Sequence, residues 1–272
     1  MLRPVAYVQE NQPEGVPPLE LTGERTLPDV PEENYWYRRH VAVYEWIAER
    51  CAGKRVVDLA CGEGYGSDLL ARRAAEVIGV DANPEAFEHA RARYRRANLS
   101  FERGLVEEFG ARVRDSATRF RKFDAVVLLQ TIEHIHEPDR LLERISQIAP
   151  VAYISTPNRL TLAPAGAEKS DNPWHLREYD QRQYRALLGP HFKRVELIGL
   201  FHARKLRFHE LAIRLGWDRV HQALRITKPF YDRFIPAISS RDFKLRGTDL
   251  DRALDFLAVC EGAPRRKPRS NP

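Results

Sequence analysis

The sequence predicts an α/β protein built on an open, doubly wound parallel sheet with helices on both faces. Short apolar runs alternate with helical stretches from residue 55 onward, and the runs are apolar enough to be buried on both sides. A glycine-rich turn joins the first run to the helix after it. With 272 residues the chain has room for one large domain with additions, and its core needs no staples.

Residues 1–33 are rich in proline and poor in apolar periodicity, and read as an extended arm. A helix is expected in "ENYWYRRHVAVYEWIAER", where Tyr37, Val41, Tyr44 and Ile47 or Ala48 recur at three-to-four spacing. The domain proper then spans 34–262. Its strands are expected at "RVVDLA", "EVIGVD", "LSFERG", "FDAVVLLQ", "VAYIST", "RVELIGLF" and "ALDFLAVCEG". Helices fall between them at "PEAFEHARARYRR" and "DRLLERISQI". About fifty residues separate the last two strands, far more than the ~4–6 of an ordinary connection, so 201–249 is expected to be a helical insertion.

The net charge of +6 is unevenly spread. Seven basic residues face two acidic ones between Phe201 and Lys228, and four more basic residues lie in the last ten, "APRRKPRSNP". The main body is therefore slightly acidic, and 263–272 reads as a basic, disordered tail. A positive balance confined to appendages argues against nucleic acid as partner. Three scattered cysteines, Cys51, Cys61 and Cys260, have neither a disulfide framework nor metal-ligand spacing, and no metal is expected. No positively charged start leads into an apolar stretch, and no run approaches the length of a membrane span. The expected setting is the reducing cytoplasm.

The chemistry lies in "VVDLACGEGYGSDLL". A glycine turn between strand and helix lets the backbone approach a ligand where a Cβ would collide. Dinucleotide enzymes use GxGxxG, whose third glycine would fall at Ser67, so a nicotinamide dehydrogenase is disfavoured. Two acids are more telling. Asp58 ends the first strand, where it can face a cationic amine directly or through water. Asp81 ends the second, where a carboxylate can take both hydroxyls of a ribose. Such a pair suits a nucleoside that carries an amino acid and no pyrophosphate.

In this order, "VVDLACGEGYG", "VIGVDAN" and "FDAVVLLQTIEHI" resemble the motifs of class I S-adenosylmethionine-dependent methyltransferases of the quinone-biosynthesis type, over roughly 55–262. The resemblance implies a Rossmann-like sheet of seven strands, mostly parallel with the last antiparallel. It implies S-adenosylmethionine as cofactor, with Ala60, Cys61, Gly62 and Gly64 along its methionine part. Asp81 and Ala82 would hold the ribose, and Gln130 would lie near the sulfonium. Leu105 stands where the family often has an acid near the adenine, which leaves the backbone of Leu105 and Val106 to read the adenine edge. Arg39, in the helix of the arm, is expected at the methionine carboxylate, which a planar bidentate donor suits.

"LTGERTLPD", "ENYWYRRH", "STPNRLT" and "NPWHLREY" are similar to segments of actinobacterial methyltransferases linked to polymethylated polysaccharide and other sugar O-methylation. This resemblance implies a carbohydrate or related small-molecule acceptor. Trp174, Arg177 and Tyr179 are its expected contacts, an aromatic face suiting a sugar ring. A hydroxyl acceptor needs a proton sink, and His134 and His175 are the candidate bases, with Glu133 or Glu178 to orient either ring. The basic insertion reads either as a solvated helix face or as a lid or holding surface for an acidic acceptor. An RNA methyltransferase and a cofactor-binding relative without chemistry are the alternatives. The sequence does not fix the acceptor, the atom methylated or the oligomeric state.

Overall fold

The computed structural model describes residues 12–21, 25–109, 123–224 and 226–263; the tail expected at 263–272 lies outside them apart from Ala263. The seven expected strands and one more form one sheet: β1 (Arg55–Leu59), β2 (Glu76–Asp81), β3 (Leu99–Arg103), β4 (Ala125–Leu128), β5 (Val151–Pro157), β6 (Arg194–His202), β7 (Phe243–Arg246) and β8 (Asp255–Glu261). Their order is β3-β2-β1-β4-β5-β8-β6-β7. The run from β3 to β5 is parallel, and β8 lies antiparallel between β5 and β6. The α/β class and the antiparallel final strand are as expected. The sheet has eight strands rather than seven, because the insertion ends in a short edge strand, β7, antiparallel to β6. Its sequence, "FKLR", is too short and too charged to stand out as a strand before its partner is known.

Helices α1 (Asn34–Arg50), α2 (Tyr65–Ala71), α3 (Pro84–Arg93), α4 (Pro138–Ile148), α5 (Arg159–Leu162) and α6 (Gln181–Leu188) alternate with these strands. Within the insertion lie α7 (Arg204–Arg214), α8 (Trp217–Leu224) and α9 (Thr227–Phe234). Asn83 starts α3 by accepting from the amides of Glu85 and Ala86 at 2.9 Å, with Pro84 at the first helical position. A reciprocal Asp180–Gln183 capping box starts α6.

Two cores flank the sheet. One gathers Val57, Leu128, Leu141, Ile145 and Phe256, and the other seats α1 and α2 through Ile47, Leu70, Val127 and Leu257. Alternate residues of the same strands feed opposite cores, as the period of two in a strand requires. At Gly66 a Cβ would come within 2.1 Å of the Tyr44 ring, so this glycine allows α1 to press against α2. Arg39 of α1 donates from Nε to Asp255 Oδ2 at 2.6 Å and from a terminal nitrogen to Oδ1 at 2.5 Å. That nitrogen also donates to the Leu254 carbonyl at 2.9 Å, so the arm's helix is bolted to the first residue of β8.

Candidate active site

β1 and β4 end side by side, and their last turns open a crevice at the carboxyl edge of the sheet. Both exits are unusual in their backbone. Ala60 has φ 54° and Gln130 φ 51°, the left-handed region that non-glycine residues seldom enter and that clusters at functional sites. The crevice, of about 300 Å³, is lined by Ala60, Cys61, Gly62, Glu63, Asp81, Ala82 and Gln130, together with Tyr44, His40, Arg25 and Thr26. At Gly62, with φ 56°, a Cβ would have nothing within 4 Å, so the backbone there borders open space for a ligand.

Asp81 is set up to receive a donor. Its Oδ2 accepts from the Gly62 amide at 2.8 Å and its Oδ1 from the Asn83 amide at 2.9 Å, so each oxygen keeps a further lone pair. Asp58 lies deeper than expected. Its carboxylate is fully buried, accepts from Ser67 Oγ at 2.7 Å and from the Tyr44 hydroxyl at 3.3 Å, and does not line the crevice. Burial is the main reason its pKa rises to about 7, against the opposing pull of the two hydroxyls. The Tyr44 ring lies between crevice and acid, a role its place in the helical stripe gave no sign of.

Beyond Gln130 the crevice meets a second cavity of about 420 Å³. Arg25, Thr26, His40, Gln130 and His134 border both. The second is completed by Trp36, Arg39, Glu133, Ser170, Asn172, His175 and Asp255. The two candidate histidines, forty-one positions apart in the chain, have ring centroids 5.1 Å apart. Three hydrogen bonds hold them there: the Leu176 and Arg177 amides both donate to the Glu133 carbonyl, and His134 Nδ1 donates to the Trp174 carbonyl at 2.9 Å. His175 is buried, and its Nδ1 donates to Glu178 at 2.6 Å. The fully buried Glu133 carboxylate accepts from Thr156 Oγ1 at 3.1 Å, and burial pushes its pKa up to about 8. His40, next to Arg39 on the same helix, contacts the Tyr65 hydroxyl at 3.0 Å, and burial holds its pKa down to about 4.

Several expected contacts lie elsewhere. Arg39 has its planar fork engaged by Asp255 and borders the second cavity, whereas Arg25, within the quoted "LTGERTLPD", borders both. Val106 packs in the core and Leu105 is half exposed, and neither lines the crevice. Tyr179 is a core residue 5.9 Å from Tyr184, Arg177 is exposed, and Trp174 offers the site its carbonyl while its ring lies exposed. Trp36 is the indole that lines the second cavity. Sequence spacing marks which loops reach the site, and it does not say which way each side chain turns.

A glycine turn above a buried acid, a second acid with acceptor capacity to spare and a side cavity sharing one wall fit the class I methyltransferase architecture. Residues 35–211 match the methyltransferase domain family. A probable S-adenosylmethionine-dependent methyltransferase of Mycobacterium tuberculosis is 35% identical over 255 residues, 89% of each chain. A second, from Mycolicibacterium smegmatis, is 35% identical over 254 residues, 89% of this chain and 94% of that one. The ubiquinone biosynthesis O-methyltransferase of Albidiferax ferrireducens is 30% identical across 62% of this chain and 70% of its own. Among solved structures, a SAM-dependent methyltransferase of Thermotoga maritima shares the fold with a TM-score of 0.54 at 16% identity, covering 85% of this chain and 95% of that one. The chain belongs to the S-adenosylmethionine-dependent methyltransferases. It is an enzyme, and its methyl donor is S-adenosylmethionine. Among the described residues no helix is long and apolar enough to cross a membrane.

Proposed function

We propose that this enzyme methylates a hydroxyl of a carbohydrate or a related small molecule held in the cavity beside the cofactor crevice. The observation that carries the reading is the shared wall. His134 and Gln130 border both spaces, so an acceptor in the second cavity has its hydroxyl next to the donor. When bound, S-adenosylmethionine supplies a methyl group already activated on sulfur. Alignment then does much of the work, and the rigid turns at Ala60 and Gln130 provide it. Asp81 would take the ribose hydroxyls, and Arg25 at the mouth would take the methionine carboxylate in place of Arg39. Trp36 offers a ring face to a sugar, and His134 or His175 would take the hydroxyl proton, each having its Nδ1 tied outward.

A third cavity, of about 930 Å³, lies away from the glycine loop and is lined by Arg204, Arg207, Arg214, Lys244, Arg246 and Arg252 among others. Segments 160–162 and 254–255 supply walls to both this cavity and the acceptor cavity, which supports the insertion as a holding surface for an acidic extension of the acceptor. Three buried free thiols support a reducing compartment, the cytoplasm. The test uses methyl-labelled S-adenosylmethionine with fractionated cell extract. Label in a carbohydrate or glycolipid fraction is expected, and label confined to RNA would overturn the acceptor reading.

A further inference from the structure

Glu133, His134 and His175 each offer a ligand atom, and these atoms lie within 4.8 Å of one another at the wall of the acceptor cavity. Cysteine spacing gave no sign of this group, because its members come from two segments that only the fold brings together. Both rings carry a feature of metal-binding imidazoles: Nδ1–H is fixed by an outer acceptor, the Trp174 carbonyl in one and the Glu178 carboxylate in the other. A ring whose Nδ1 holds the proton carries its lone pair on Nε2. The Glu178 carboxylate is itself held, by the Ser170 amide at 2.9 Å and the Ser170 hydroxyl at 2.5 Å. Glu133 is 1% exposed and has no ion-pair partner among the described residues. A buried carboxylate in that position lacks a compensating positive charge.

We infer that Glu133, His134 and His175 bind a divalent transition-metal ion that takes the acceptor hydroxyl as a further ligand. Two imidazoles and one carboxylate suit Mn²⁺, Fe²⁺, Co²⁺ or Zn²⁺ better than a purely oxygen-loving ion, and leave coordination positions open. Side-chain adjustment of about an ångström brings the three atoms to the ~2.0–2.2 Å that such ions require. At His175 the ion displaces a neutral contact, the Asn172 amide at 3.0 Å from Nε2. Two open positions side by side suit an acceptor with adjacent hydroxyls. Bound to the ion, one hydroxyl loses its proton to water at neutral pH, and the ion thereby replaces His134 or His175 in the base role given to them above, both rings now being ligands. The new O–C bond forms as the methyl's bond to sulfur breaks, and that bond's electron pair stays on sulfur.

The inference rests on the acceptor reading of the cavity, and its test separates the two. The full chain, stripped with chelator, is titrated with Co²⁺ while the visible absorption of the bound ion is recorded. One equivalent is expected to bind, and His134→Ala, His175→Ala and Glu133→Gln are each expected to weaken it at least tenfold. Glu178→Gln, which touches only the outer hydrogen bond, is expected to weaken it about tenfold or more. S-adenosylhomocysteine binding by each variant reports that it is folded with an intact crevice. A wild-type chain that binds S-adenosylhomocysteine yet holds Co²⁺ no better than the His134→Ala/His175→Ala double variant overturns the ion site and leaves the transferase reading standing.

Discussion

At the residue scale, two buried charges behave oppositely. Asp58 is buried with hydroxyl partners and no cation among the described residues, so folding favours its protonated form. Between its ordinary value near 4 and its folded value of about 7 the native state holds the extra proton, and Asp58's contribution to stability declines as pH rises through that window. An ammonium group on a cofactor seated in the crevice beyond Tyr44 would favour the ionised form of this carboxylate. S-adenosylhomocysteine affinity is therefore expected to rise with pH up to about 7, with proton release on binding. Calorimetry in two buffers of different ionisation enthalpy measures that release, and Asp58→Asn is expected to abolish it. A flat profile in the wild type would refute the coupling. Arg39 is the other case: it and Asp255 are buried together and joined by two hydrogen bonds. Removing one partner strands the other, and Arg39→Met is expected to cost about 3–5 kcal/mol in chemical denaturation. Replacing both partners by apolar residues should recover much of that loss.

At the scale of elements, the arm is more than a leader to α1. His89 of α3 contacts the Pro17 carbonyl at 2.6 Å and Glu63 at 2.9 Å, so arm, third helix and glycine turn share one buried hydrogen-bonded chain. Leu19, Leu27 and Val30 form a small core that brings Arg25 and Thr26 over both cavities. Arg25→Ala is expected to weaken S-adenosylhomocysteine binding about tenfold or more, the scale of one charge-assisted hydrogen bond, while leaving the melting temperature of the free enzyme nearly unchanged. Equal affinity in this variant would return the carboxylate role to another residue. The strands and helices were legible because their apolar periods are long and the glycine turn punctuates them. Asp81, Gln130 and the glycines were legible as a crevice because each sits at a strand end. Arg25 and Tyr44 were not, since the arm has no periodicity and Tyr44 reads as one more residue of a buried stripe. The Glu133–His134–His175 group was visible only as separate histidines, because its closeness depends on the Leu176 and Arg177 amides meeting the Glu133 carbonyl.

For the whole molecule, charge is separated by place. The basic insertion surrounds the cavity of about 930 Å³, while Glu33, Glu133 and Asp255 line the acceptor cavity, so the two ends of an acceptor would meet different fields. Arg207→Glu is expected to raise the KM for an acidic acceptor several-fold and to leave S-adenosylhomocysteine affinity unchanged. Loss of transfer rate from about 50 to about 200 mM salt in the wild type, and a flatter curve in the variant, would agree with it. No change in KM would make the insertion a solvated face. The position of β8 between β5 and β6 bears on how the protein is made. Synthesis delivers β6 more than fifty residues before the strand that must slip in beside it, and until then β5 and β6 each present a bare hydrogen-bonding edge. Arg39 waits as long, since Asp255 is the first residue of that strand. Closure is therefore a long-range and late event. In refolding followed by pulsed hydrogen exchange, the amides of α1 and β8 are expected to gain protection together and after those of β1 and β4, and a chain released before residue 255 is expected to aggregate through its open seam.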